Sequence, residues 1–234
     1  MIRNLIVLAA SLLFVASAIA GPKEDVQDAA RKLADGGNYS WKSTVEAQFG
    51  AGTTEGKTQK DGLTWLTINR GDTTTEVLLK GENAAIKTDG TWKSLQEVLD
   101  DQQGPARFTA RMVQGFKPPA TIVQEVAGKV KELGKSDGDA YAAVLSEETA
   151  KELLTFGGRR AGGANAPTVN NAKGNVKVWL KDGQLVKLQL QLQGSINFQG
   201  QDRDIDRTTT TEFKDVGTTK IDAPAEAKAK AKLP

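Results

Sequence analysis

The 234-residue chain contains no cysteine and no histidine. Without cysteine there is no disulfide framework and no thiol nucleophile. A zinc site loses its two usual ligand types, and a Ser-His-Asp relay cannot be built. No serine is followed by lysine three places on, so the Ser-x-x-Lys arrangement is missing too. Acid–base catalysis most often falls to histidine. The chain is therefore read as a non-enzyme, with no catalytic residue, metal or cofactor expected. An excess of one charge is also missing. The 31 basic and 29 acidic residues give +2, which leaves no electrostatic footprint for nucleic acid. The remainder, 38% hydrophobic and 26% charged, is ordinary globular composition and fits one domain. Burial alone has to hold that domain together.

The first segment, MIRNLIVLAASLLFVASAIAGP, has one cation, Arg3, then an apolar run from Leu5 to Ile19. It closes on Ala18-Ile19-Ala20, an A-x-A cleavage pattern. Residues 1–20 are expected to be a secretory signal peptide cut after Ala20. The run falls short of the roughly 20 residues that span a bilayer. No cysteine follows it, so a lipidated mature N-terminus is excluded. The expected location is the periplasm or the exterior, with the protein free rather than tethered.

The sequence then changes period. Val26, Ala29, Ala30 and Leu33 recur at helical spacing, with acids in the first turn and Gly36 at the expected cap. From Tyr39 to Phe49 every odd position continues Tyr39, Trp41, Ser43, Val45 and Ala47, the mark of a strand with one apolar face. Further strands are expected at about 55–60, 63–70, 73–80 and 83–88. Ser94 with Glu97 forms a capping box for a short helical turn. A helix from Pro105 to about Phe116 is stopped by Pro118-Pro119, and ATIVQEVA forms another. A strand pair is expected around Asp137-Gly138, and Ser146 caps EETAKELLTF. A Thr-rich strand follows around Arg207 to Val216. The end, APAEAKAKAKLP, holds too few apolar residues to pack, and residues 225–234 are expected to be a disordered tail. This order predicts an α+β fold: one curved antiparallel sheet with helices on one face.

NVKVWLKDGQLVKLQLQLQGS, residues 175–195, alternates aliphatic and polar residues on both sides of Asp182-Gly183. A two-residue type I′ loop would pair Trp179 with Val186 and Lys177 with Leu188, mixing the faces. A three-residue loop, Lys181 to Gly183, pairs Val178 with Val186 and Val176 with Leu188. Register follows the apolar pattern, so the second is expected, although it sets Lys177 opposite Lys187.

Other signals carry less. Asp202, Asp204 and Asp206 alternate like a calcium loop, but Arg207 and Phe213 stand where that loop needs Gly and Glu. Solvated ion pairs with Arg203 and Arg207 are expected instead. GGRRAGG, within residues 157–164, follows a helix rather than a strand and lacks the lysine of a P-loop; it reads as a flexible loop. Lys228, Lys230 and Lys232 suit a solvated tail, with at most weak attraction to anionic lipid. Tyr39, Trp41, Trp65 and Trp92 read as core or as cavity lining.

Four stretches carry a resemblance: DAARKLADGGNYSWKSTVEAQF, GDAYAAVLSEETAKELL, VKVWLKDGQLVKLQLQLQG and TEFKDVGTTKIDAP. Together they resemble the LolA-like superfamily of bacterial envelope proteins, which includes lipoprotein carriers and the LppX- and LprG-type lipoproteins. The resemblance covers most of residues 24–224 and is one of pattern and order, with no catalytic motif. It implies a domain over residues 21–224 built as a half-open barrel, with helices covering its concave face. It further implies a cavity for lipid or lipoprotein acyl chains, and transient contact with membrane or envelope proteins. The chain departs from tethered members in having no lipidation cysteine. Arg70 is the nearest candidate for a carrier's functional arginine.

The expected ligand-lining residues are Trp41, Val45, Trp65, Val178, Leu180, Val186, Leu188 and Leu190. Each buried methylene contributes about 0.8 kcal/mol, so a long acyl chain gains on the order of 10 kcal/mol before ordering costs. The alternative is a closed core in a structural or interaction module of the envelope. Ala-rich helix stripes fill space poorly, which favours a cavity.

Overall fold

A computed structural model describes residues 21–48, 51–101, 106–155, 168–198 and 201–233. The expected signal peptide, the Gly/Arg loop at 157–164, Phe49 and the Pro105 helix start lie outside them. Helix α1 (Pro22–Gly36) buries the four stripe residues Val26, Ala29, Ala30 and Leu33, and Glu24 and Asp25 occupy its first turn. Its cap is Gly37, one residue later than expected, whose N–H donates to the Leu33 carbonyl at 3.3 Å.

Six strands follow: β1 (Tyr39–Ala47), β2 (Gly52–Thr58), β3 (Thr64–Arg70), β4 (Thr73–Lys80), β5 (Asn83–Thr88) and β6 (Thr91–Ser94). Helices α2 (Leu95–Asp100), α3 (Arg107–Gln114) and α4 (Pro119–Lys129) come next. The Ser94–Glu97 capping box is formed in both directions. Short strands β7 (Gly134–Lys135) and β8 (Ala140–Val144) lead to α5 (Glu147–Thr155). Ser146 Oγ accepts from the Thr149 N–H at 3.2 Å, capping α5 as its position requires. Long strands β9 (Thr168–Lys181), β10 (Gln184–Phe198) and β11 (Gln201–Lys214) precede α6 (Ala225–Lys230).

The fold is α+β. All strands join one antiparallel sheet of 11, ordered β6-β5-β4-β3-β2-β1-β11-β10-β9-β8-β7, which is not closed. The chain lays down β1 to β6 outward from the middle and then returns with β11 beside β1, through the register Trp41 to Phe213.

Cross-strand partners share a face, so the register sorts side chains into rows. One row runs Val178, Leu188, Thr211, Ser43, Thr54, Ile68, Thr75 from β9 to β4. This face forms one apolar cluster with Val26 of α1, Val113 of α3, Val123 of α4 and Leu154 of α5. The opposite face carries Trp65, Leu78 and Ala85 in register.

On that second face the end of the chain departs from expectation. Residues 225–230 form α6 rather than a disordered tail, and Ala227 and Ala231 are buried against Leu78, Ala85 and Trp92. The tail contributes mostly small apolar groups, with Leu233 half-buried beside them. The sheet supplies the bulk, because Trp65 and Trp92 meet edge to face at 5.5 Å and make a platform against which alanines approach closely.

The hairpin also differs. Asp182 and Gly183 both have positive φ, 52° and 71°, and Gln184 pairs with Lys181, so the loop has two residues. A bulge between Leu185 and Lys187 then absorbs one residue. Beyond it Leu188 faces Val178 and Leu190 faces Val176. Neither simple register holds, because one extra residue satisfies both the Asp-Gly turn and the apolar pattern. Lys187 comes opposite Trp179, not Lys177, and its ammonium sits 4.7 Å from that ring's centroid.

Candidate functional site

Of the eight expected lining residues, Trp41, Val178, Leu180, Leu188 and Leu190 belong to the cluster on the helix-packed face. Val45 joins the same face, in the row Val176, Leu190, Thr209, Val45. Trp65 does not: it projects from the opposite face onto the platform beneath α6, since its neighbours Leu66 and Ile68 claim the helix side. Val186 falls in the bulge and is half-buried, and Leu185 takes its expected place in the core.

The centre of this face is not purely aliphatic. Ser43 and Thr211 hydroxyls meet at 2.6 Å, which satisfies both without water. Trp41 lies within 6.1 Å of Phe116, nearly parallel, and its Nε1 donates to Thr58 Oγ1 at 3.4 Å. Tyr39 is buried next to them. Enclosure pushes its phenol up to about 12, against smaller opposing effects of the Thr58 hydroxyl and the Ala120 backbone.

Toward the β3–β5 side the face opens. A cavity of about 610 Å³ is lined by Ile68, Val98, Ala106 and Phe108 together with threonines such as Thr75 and the charged Arg70, Asp72, Lys87, Asp89, Lys93 and Asp101. Ile68 and Thr75 are in the row that reaches Leu188 and Val178, so the cavity lies on the same face of the sheet as the apolar cluster. Phe108 stands at its edge, 57% exposed. The Arg70 guanidinium lies 4.8 Å from the Phe108 ring centroid, and its Nη2 donates to Met112 Sδ at 3.0 Å. Neither Ile68 nor Phe108 was singled out from sequence; Phe108 falls within the helix expected from Pro105 to about Phe116.

A larger groove of about 980 Å³ lies between α2, α4, α5 and the end of α6. Three ion pairs sit on its walls: Lys117 with Glu125, Lys129 with Glu152, and Lys230 with Glu97. Such walls suit water better than an acyl chain.

Arg207 corrects another expectation. It is not a solvated ion-pair member. It shares a row with Leu192 and pairs on its other side with Ala47, which turns it toward the helix-packed face. Nη2 donates to the Leu153 carbonyl in the last turn of α5 at 3.2 Å, and Nε is buried without a partner. Burial pushes the guanidinium pKa down. All 29 acidic residues are among the described residues, and none forms an ion pair with Arg207 there.

No protein-family model matches the chain, and no curated protein matches it. Among the described residues no helix is long and apolar enough to cross a membrane.

Proposed function

We propose that the protein is an exported, untethered binding protein that holds the acyl chain of a lipid or lipoprotein, as a carrier or chaperone. In this reading the sheet is the curved half-barrel of a LolA-like protein, and the helices cover its concave face. The observation that carries it is that the 610 Å³ cavity lies on the same face of the sheet as the apolar cluster: Ile68 lines the first and is in register with Leu188 and Val178 of the second. An acyl chain entering past Phe108 meets a lining that mixes Ile68, Val98 and Ala106 with threonines and with Asp72, Lys87, Asp89, Lys93 and Asp101, so its methylenes settle on the apolar part while the charged groups keep to water. The signal-like first segment supports export, and the lack of a lipidation cysteine supports a free carrier that exchanges cargo with membrane or envelope partners.

The test is saturable binding of a fluorescent fatty-acid probe by purified protein, displaced by phospholipid, without metal or nucleotide. Phe108→Asp, at an exposed position, is expected to weaken the probe at least tenfold while leaving the unfolding midpoint in place. Saturating probe that gives no signal across fatty acid, phospholipid and glycolipid classes would end the reading.

One observation favours a second reading, a closed-core interaction module without ligand. Val178, Leu188 and Leu190 are only 2%, 2% and 7% exposed. Binding therefore requires the helices to shift or the chain to lodge in the cavity, whereas the closed core requires neither.

A further inference from the structure

Arg207 places a cation at the border of an apolar surface. The row beside it holds Leu190 and Val45, and its own row holds Leu192 and Ala47. A guanidinium offers five N–H donors in a planar fork. The Leu153 carbonyl engages one of them, at Nη2, as a cap on the last turn of α5. That contact explains the position of the side chain but leaves Nε buried and unpartnered. A neutral carbonyl does not cancel the charge either. Acids close in sequence are directed elsewhere. Asp206 is on the other face and accepts from Gln193 Nε2 at 3.0 Å. Glu46, one residue before Ala47, lies opposite Thr208. Glu152, on the helix that Arg207 caps, is paired with Lys129.

A buried guanidinium with Nε open is matched by an oxyanion. A carboxylate or phosphate accepts from Nε and a neighbouring Nη together, in a geometry that lysine cannot reproduce. Apolar rows on one side and a guanidinium with an unpartnered Nε–H on the other are complementary to an amphiphile with an anionic head.

We infer that Arg207 docks the anionic head, carboxylate or phosphate, of the acyl ligand whose chain lies on the helix-packed face. This rests on the acyl-chain reading above and adds a ligand class: anionic amphiphiles are selected over neutral ones of the same chain.

The experiment compares matched pairs at pH 8 by competition with a neutral fluorescent acyl probe. Oleate is set against oleyl alcohol, and phosphatidic acid against diacylglycerol. The wild type is expected to bind at least one anionic member tenfold or more tighter than its neutral partner. A ratio in the first pair alone identifies a carboxylate head, in the second alone a phosphate, and in both a site for either. Arg207→Gln is expected to bring that ratio to about one. Arg207→Lys should keep only part of it. Arg207→Met, which keeps the volume, repeats the comparison if the Gln variant does not fold. A residue that merely caps α5 would alter stability and leave the ratio alone. Equal binding within both pairs by the wild type, or a ratio that survives in the folded variant, overturns the assignment while the acyl reading stands. Failure of every acyl compound, neutral and anionic, overturns both.

Discussion

The indole of Trp41 occupies the space that a β-carbon on Gly56 would need: such an atom would lie 2.1 Å from Trp41 Cε2. The two residues are register partners on β1 and β2, and Trp41 is held from beyond by Phe116. The indole cannot retreat without disturbing the helix side. Gly56→Ala is expected to destabilise by about 1–3 kcal/mol, the usual range for overpacking. Denaturant unfolding measures the loss, and an unchanged midpoint would mean that the indole is free to move.

Glu97 and Lys230 tie α6 to α2, with Nζ to Oε1 at 2.8 Å. Lys230 first, and then the Ser94 backbone and hydroxyl, hold the Glu97 carboxyl down at about 2. A depressed folded pKa stabilises above the ordinary carboxylate range and loses its effect as pH falls through the folded value. This contact should therefore weaken progressively from about pH 4.5 down to pH 2. In Lys230→Met the Glu97 carboxyl should titrate at higher pH, still below its ordinary value because the capping box remains. Carbon-detected NMR titration of the side chain reads this directly.

Tyr39 contributes to the loss of stability at alkaline pH. Its folded pKa, about 12, is above the ordinary 10, so the unfolded chain loses the phenolic proton first. Its contribution is complete below pH 10 and is lost as pH rises toward 12. The maximum loss is on the order of 2 kcal/mol. Comparing unfolding free energies at pH 8 and pH 11 should show a smaller decline for Tyr39→Phe than for the wild type.

Leu188→Ala tests how firmly the helix-packed face is filled. At 2% exposure, Leu188 should cost about 2–5 kcal/mol when truncated, as core leucines do. A loss below about 1 kcal/mol, measured by denaturant, would instead mean that the side chain borders space able to accept a ligand.

Local periodicity carried much of the fold. Val26, Ala29, Ala30 and Leu33 repeat at helical spacing and all four are buried. The capping boxes and caps at Ser94 and Ser146 were legible because their hydrogen bonds span only three residues. The candidate site was legible in part. Alternation identified Val176, Val178, Leu188 and Leu190 as sharing a side, but it placed Val186 there instead of Leu185 and did not show that a bulge at Val186 would restore that side after a two-residue turn. Both loops satisfied one local rule each, and only the assembled ladder satisfied both.

By itself the sequence determined which side chains alternate, where helices with a local cap such as Ser94 and Ser146 begin, and which chemistries are excluded by the missing cysteine and histidine. Those follow from dihedral period, short-range hydrogen bonds and composition. Only the tertiary structure decided which face each alternating set meets. Trp65 belongs under α6 because register brings Leu66, not Trp65, into line with Trp41. Residues 225–230 are helical because Trp92 and Leu78, more than 130 positions earlier, supply the apolar area the tail lacks. Arg207 is half-buried, with its Nε enclosed, because β11 returns beside β1 and beneath α5. In each case the deciding partner is remote in sequence, and burial depends on the surface a residue meets rather than on its neighbours along the chain.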